Sequence, residues 1–234
     1  MIKFIKEEIK VIYERDPAIK TPWEVLLYPS FHAILRYRIS NWFFRHGRYF
    51  IARWIATSAT RRTGIEIHPG ATIGKCLFID HGLGVIIGET AIIGDNVTIY
   101  QGVTLGGTGK EHGKRHPTIG DNVMISAGAK VLGSFEVGHD SKIGAGSVVL
   151  QAVPPNSTVV GIPGKVVKRL NQKVHPQDLL DQTHLPDPVR AEICRLRIRI
   201  EALEKGKEKL SDEEIEAIRI EHCQGCPDDL LYRK

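Results

Sequence analysis

Aliphatic residues recur at every sixth position through the middle of this chain. One block holds Ile67, Ile73 and Ile79, a second Ile87, Ile93, Ile99 and Leu105, and a third Ile119, Ile125, Val131, Val137, Ile143 and Val149. Glycine directly follows the aliphatic residue at positions 74, 88, 94, 106, 120, 138 and 144. Neither the helical period of 3.6 nor the strand period of 2 generates this spacing. It is the signature of a solenoid in which each hexapeptide supplies a short strand and a corner. The aliphatic side chain points inward and stacks on its equivalent one coil away. Glycine and small residues occupy the corners, where the chain turns sharply and φ is often positive. One hexapeptide cannot bury its apolar face alone, so the stack must be continuous.

The phase breaks twice. Two extra residues separate Ile79 from Ile87, and a longer polar, Gly-rich segment, Gly106 to Pro117, separates Leu105 from Ile119. An insertion of that kind is a loop pushed out of the coil, and loops on rigid scaffolds carry function. Before the repeat, Ile2, Ile5, Ile9 and Ile12 mark one helical stripe. Asp16-Pro17 starts a new segment, and Ser30 is placed to cap a helix running to His46 with Gly47 as its stop. A further helix containing Trp54 and Ile55 runs to about Arg62. Beyond the repeat, Pro154-Pro155 and Gly161-Ile-Pro-Gly164 mark the exit. Val189, Ile193, Leu196, Ile200 and Leu203 then alternate in spacings of four and three, the seam of a short coiled coil or of an amphipathic helix lying on the body. Ser211-x-x-Glu214 reads as a capping box. The expected division is a helical segment over residues 1–62, a β-solenoid over 63–168 and a helical extension over 169–234.

Composition narrows the function classes. The 234 residues contain no apolar run long enough to span a membrane, and the N-terminus mixes charge signs within one helical turn, unlike a secretory signal. The expectation is a cytoplasmic protein without a membrane partner. The net charge of +5 favours anionic partners. The basic residues are scattered among 27 acids without a basic-aromatic motif, so a phosphate-bearing small molecule fits better than nucleic acid. Cys76, Cys194, Cys223 and Cys226 are too few and too uneven for a disulfide framework. Cys223-Gln-Gly-Cys226, after His222, is half of a zinc-site pattern with no second pair in the chain, so no metal is expected.

Several motifs together are more specific than the repeat. Arg15-Asp-Pro-Ala18, Phe31-His-Ala33, Ile65-Glu-Ile-His-Pro69, Asp80-His-Gly82, Gly88-Glu-Thr90, Gln101 to Gly109, Arg115-His-Pro117 and Gly144 to Val148 resemble the serine O-acetyltransferases. These belong to the hexapeptide-repeat acyltransferases. The resemblance covers about residues 10 to 168. It implies a left-handed parallel β-helix with an N-terminal α-helical domain and C-terminal helices, three hexapeptides making one triangular coil. The left hand comes from the resemblance and runs against the usual crossover rule. The implied reaction transfers acetyl from acetyl-CoA to the hydroxyl of L-serine, giving O-acetylserine and CoA, the first step of cysteine biosynthesis.

Serine's hydroxyl is a weak nucleophile at neutral pH, so attack on a thioester needs a base within hydrogen-bond reach. The resemblance assigns His81 as that base, a role suited to an imidazole, which titrates near neutrality. It places Glu66 as the carboxylate that orients the imidazole, where the family often has Asp. Asp16 and Asp80 are assigned to the substrate ammonium, and Arg115 with His116 to its carboxylate. For acetyl-CoA, Gly107 and Thr108 begin the loop over the pantetheine arm. Ala127, Gly128 and Ala145 are small enough for close backbone approach, and Lys142, Lys165, Lys168 and Arg169 are cations for the phosphates.

Three other readings of the repeat compete with this one: an acyltransferase acting on a sugar or other small hydroxyl, a zinc hydratase and a non-catalytic scaffold. The first lacks a use for the Arg-Asp-Pro-Ala and Arg-His-Pro motifs together. The second needs three converging histidines, whereas His112 and His116 share one loop. The third has no need of the Asp-His and Arg-His pairs. The resemblance further implies a homotrimer with sites between subunits, or a hexamer, since many relatives pair trimers through a longer N-terminal domain than the fifteen residues before Asp16. L-cysteine is the expected feedback inhibitor. A tight complex with a sulfhydrylase is not expected, because the chain ends Leu231-Tyr-Arg-Lys234 rather than in isoleucine.

Overall fold

The computed structural model describes residues 2–109 and 112–169, and positions 193, 196, 198–200, 202 and 203 of the C-terminal segment. Val189, Ser211–Glu214, Cys223, Cys226 and Leu231–Lys234 lie outside the described residues. The chain divides into two compact units, Met1–Thr183 and His184–Lys234.

The first unit opens with helices. α1 (Ile2–Arg15) packs Ile5, Ile9 and Ile12 against Ile19, Val25, Phe31 and Phe78, using the stripe expected from the sequence. A short 3-10 turn, Pro22–Leu27, leads into α2 (Pro29–Arg45), and α3 (Tyr49–Thr63) follows. The start of α2 differs from the sequence expectation. Tyr28 is its N-cap, Pro29 occupies the first helical position, and Ser30 lies buried inside the first turn. Proline's fixed φ and missing N–H suit the first position and move the boundary back by two residues. The stop is as expected: His46 is the C-cap and Gly47 takes φ +72°.

The following residues form the β-helix. One sheet stacks Glu66–Ile67, Ile86–Ile87, Thr104–Gly106, Lys130–Leu132 and Val148–Val149, all parallel. We call its outer surface face A. A second sheet stacks Thr72–Ile73, Ile92–Ile93, Thr118–Ile119 and Glu136–Val137. The third stacks Phe78–Ile79, Thr98–Ile99, Met124–Ile125, Lys142–Ile143 and Ser157–Val160, and Lys165–Arg169 closes it antiparallel. All thirteen periodic aliphatic residues lie in one apolar core. The sequence reading missed a second inward row two positions earlier: Ile65, Ala71, Leu77, Val85, Ala91, Val97, Val103, Val123 and Ala129. It mixes alanine with larger aliphatic residues, so its chemistry is less uniform along the chain.

The first coil would leave its outer edge of carbonyls unpaired, which buried backbone does not tolerate. Side chains of α2 cover that edge. The Tyr37 hydroxyl donates to Ala71 O at 2.7 Å, Asn41 Nδ2 to Pro69 O at 2.7 Å, and the Arg38 guanidinium to Ile73 O at 2.6 Å and to Gly74 O. Ala33, Ile34 and Tyr37 join the solenoid core at the same end.

Both breaks in the repeat fall at edges of face A. The corner entering face A is normally turned by one left-handed glycine, at Gly102, Gly128 and Gly146 in later coils. In the first coil the two extra residues widen it into Asp80-His-Gly-Leu-Gly84. The longer insertion leaves face A at the opposite corner, between Thr104–Gly106 and Thr118–Ile119.

Candidate active site

The widened corner carries a cluster of acids beside a histidine. His81 takes φ +57°, a left-handed conformation that costs a non-glycine residue roughly 1 kcal/mol. Its side chain is 72% exposed, and Nε2 stands 3.9 Å from Asp80 Oδ1. Asp16, at the end of α1, faces the same corner. Its Oδ2 accepts a 2.5 Å hydrogen bond from the Tyr28 hydroxyl, and its Oδ1 accepts the Ala18 N–H at 2.8 Å. Burial raises the Asp80 carboxyl above the usual range; His81 opposes this, while the nearby Asp16 carboxylate adds to it. Tyr28 is pushed up to about 12, by desolvation first and by Asp16 second, so its hydroxyl stays a donor at neutral pH. Two neighbouring carboxylates, one partly desolvated, favour a cation between them.

The opposite corner holds a second cluster, built on successive coils from His68, Glu89, Thr90 and the Arg115-His116 pair. The Thr90 hydroxyl accepts the backbone N–H of Arg115 at 3.0 Å and of His116 at 3.1 Å, fixing the end of the insertion. His116 is buried, its Nδ1 accepts the Thr90 N–H at 3.1 Å, and the Thr90 hydroxyl lies 2.9 Å from the same nitrogen. With Nδ1 the acceptor, Nε2 carries the ring proton and is the free donor. The ring packs closely on Gly88: a Cβ there would stand 2.0 Å from His116 Cδ2. Burial and then Arg115 lower the His116 pKa, keeping the ring neutral.

Arg115 Nη2 meets Glu89 Oε2 at 2.5 Å, and this hydrogen bond is the chief reason the Glu89 pKa is lowered. Lys114 donates to Thr90 O at 3.0 Å and to His116 O. Arg53 of α3 stands 2.8 Å from His68 Nε2, and burial together with that guanidinium lowers His68 to about 4. The corner therefore concentrates positive charge on Arg53, Lys114 and Arg115, with Glu89 paired to Arg115.

Not every residue singled out from the sequence falls at the expected neighbour. His81, Asp80 and Asp16 come together, as do Arg115 and His116, but the two groups occupy opposite edges of face A. Glu66 is exposed on that face, beside Arg53, Arg61 and His68 in a groove under α3. The small residues divide as well. A Cβ on Gly107 would stand 2.9 Å from Arg115 O, so Gly107 and the exposed Thr108 belong to the Arg115 corner. Ala127, Gly128 and Ala145 lie at the His81 corner two and three coils on, where a Cβ on Gly102 would stand 3.4 Å from Gly128 Cα. This column of small residues runs along the corner away from His81. Lys165 is exposed in the closing antiparallel strand, Lys142 stands in the third sheet, and the side chains of Lys168 and Arg169 lie outside the described residues. Among the described residues no group of three or more His, Cys, Asp or Glu is arranged to hold a metal ion.

Tyr28, Glu89, Thr90 and His68 escaped the sequence reading as site residues. Glu89, Thr90 and His68 stood inside quoted motifs, yet their function as supports of Arg115 and His116 depends on stacking across coils. Tyr28 carries no local signal at all.

A β-helix with a polar insertion at its corner defines a hexapeptide-repeat transferase, and residues 116–151 match the family model for the bacterial transferase hexapeptide, six repeats. A serine acetyltransferase of Staphylococcus aureus (strain Mu50) is 53% identical over 208 residues, spanning 88% of this chain and 97% of that protein. The solved serine acetyltransferase of Brucella abortus strain S19 in complex with coenzyme A has a TM-score of 0.70 and 44% identity, covering 72% of this chain and 68% of that one. A serine acetyltransferase in complex with cysteine gives a TM-score of 0.73 and 42% identity over 78% of this chain and 71% of that one. The chain belongs to the serine acetyltransferase family, acetyl-CoA-dependent O-acetyltransferases on a left-handed parallel β-helix.

Proposed function

We propose that this chain transfers the acetyl group of acetyl-CoA to the hydroxyl of L-serine, with His81 as general base. The observation that carries this reading is the widened corner, which presents His81 in a left-handed conformation beside Asp80 and Asp16. The substrate ammonium sits between the two carboxylates, with Asp16 held by Tyr28. Its carboxylate is met by Arg115 and by Nε2–H of His116, the donor left free by Thr90. His81 takes the hydroxyl proton as the serine oxygen attacks the thioester carbonyl. Collapse of the tetrahedral intermediate expels the CoA thiolate, which recovers the proton from the imidazolium. Such proton transfer contributes typically 10²–10⁴-fold.

One chain holds the two half-sites at opposite edges of face A, so the complete site needs a second copy. A trimer that sets the His81 corner of one copy against the Arg115 corner of its neighbour supplies it. In that arrangement Glu66, exposed on the face between the corners, steadies the His81 imidazole. Acetyl-CoA runs along the column of Ala127, Gly128 and Ala145, with Gly107 and Thr108 closing over it and Lys165 near its phosphates. The domain division at residues 62 and 168 and a cytoplasmic location belong to the same reading. Thiol release from acetyl-CoA with a panel of hydroxyl acceptors tests it. Turnover should require L-serine; equal turnover with sugars would overturn it.

A further inference from the structure

The C-terminal helix carries a seam that acetyl transfer does not use. Ile193, Leu196, Ile200 and Leu203 are helical and exposed, with Leu203 at 71%. Ala202, on the opposite side of the same helix, is buried at 8%, and Ile198, one turn before it on that side, is half-buried. The face covered within one chain is therefore the one away from the seam, and large aliphatic side chains are left in water.

We propose that this seam is occupied by the same segment of other copies of the chain, as a parallel, in-register coiled coil. The heptad assignment puts Ile193 and Ile200 at a, and Leu196 and Leu203 at d. Isoleucine at a with leucine at d is the pattern of parallel coiled coils and favours two strands, so two copies of an assembly pair through it most readily. The flanking charges agree. Glu192 and Arg199 fall at g, and Arg197 and Glu204 at e. In a parallel pair each g residue meets the following e residue of its neighbour, so Glu192 faces Arg197 and Arg199 faces Glu204. Both pairs are of opposite sign. Two heptads are too few to associate from dilute solution. Copies already joined through their β-helices raise the local concentration of the segment to the millimolar range. That part of the argument rests on the trimer proposed above.

Disulfide trapping in the full chain tests the seam. In a background with Cys194, Cys223 and Cys226 changed to serine, Leu203→Cys should cross-link between copies under mild oxidation. The rate should exceed that of Ile198→Cys, on the far face, by roughly tenfold or more. Adding Arg197→Glu sets two carboxylates across the seam and should slow trapping at Leu203→Cys, and adding Glu192→Arg as well should restore it. Equal trapping at both positions, or no rescue by the charge swap, overturns the seam. Sedimentation of the reduced protein separates the two readings. A trimer that does not trap sinks the coiled coil alone, whereas a monomer sinks the trimer and with it the local concentration on which the coiled coil depends.

Discussion

The Tyr28 hydroxyl donates a 2.5 Å hydrogen bond to Oδ2 of Asp16, joining the residue that caps α2 to the residue that follows α1. Together with the Ala18 N–H on Oδ1, this bond engages both oxygens of the Asp16 carboxylate. Tyr28→Phe removes the bond and keeps the ring packed near Phe31 and Phe78. The expected cost is about 0.5–1.5 kcal/mol, read as a several-fold rise in the KM for serine. The KM for acetyl-CoA should stay within twofold. Asp16→Asn should raise the serine KM further. Parallel changes in both KM values would show that Tyr28 acts through general destabilisation.

His81 allows a test that separates chemistry from folding. His81→Ala should lower kcat by roughly 10²–10⁴-fold. His81→Gly should lose as much activity yet gain up to about 1 kcal/mol of stability, because glycine relieves the left-handed strain. Thermal melts beside steady-state rates check both. Glu66→Gln should cost less than either. Near wild-type turnover in purified His81→Gly would remove the base from the mechanism.

Gly88 packs against the His116 ring. A methyl group there would overlap the His116 ring, so Gly88→Ala must push the imidazole from its place. It should mimic His116→Ala in raising the serine KM. Arg115→Ala should raise the same constant through loss of a charge-assisted contact of about 1.5–3 kcal/mol. A serine KM unchanged in Arg115→Ala would free this corner from acceptor binding.

Cysteine differs from serine by one atom and presents the same ammonium and carboxylate. A site built on Asp16, Asp80, Arg115 and His116 cannot strongly reject so close an isostere. Its thiol also gives a proton to His81 more readily than a hydroxyl does. Inhibition by L-cysteine should be competitive with serine and weaken together with serine binding in Arg115→Ala. A pattern independent of serine concentration would place cysteine elsewhere.

Glu8 links α1 to pH. It is buried, its Oε2 has no hydrogen-bond partner among the described residues, and its pKa is raised to about 7, chiefly by desolvation. Arg38 and Arg15 offset that rise and Glu7 adds to it. A raised folded-state pKa means the proton is held more tightly in the native protein. Stability from this residue is fully present below the unfolded value near 4.5 and is lost as pH climbs through about 7. Glu8→Gln should flatten that slope and stabilise the protein above pH 7 by on the order of 1–3 kcal/mol. Denaturant melts at pH 5 and pH 8 would show it; equal midpoint shifts at both pH values would refute the linkage.

The sequence alone determined the solenoid. A six-residue period survives in one dimension because each coil repeats the same local demand, an aliphatic residue inward and, at most corners, a small one, and all thirteen periodic aliphatic residues from Ile67 to Val149 are buried in one core. It also located both insertions in the solenoid, since a break in a strict period is visible without coordinates. His81, Arg115 and His116 were singled out by resemblance to the serine acetyltransferases, whose motifs stand at those breaks. The start of α2 was misplaced because Ser30 and Pro29 are both plausible N-terminal residues, and only the packing of Ser30 into the interior settled which one begins the helix. The tertiary structure alone decided which side chains support the site. Tyr28 reaches Asp16 across two elements, and Thr90 reaches Arg115 and His116 across 25 and 26 residues of chain. Contacts between coils depend on the register of stacking and on where an insertion folds back. Neither leaves a periodic trace in the sequence, so the separation of the site into two corners of face A appears only once the chain is wound.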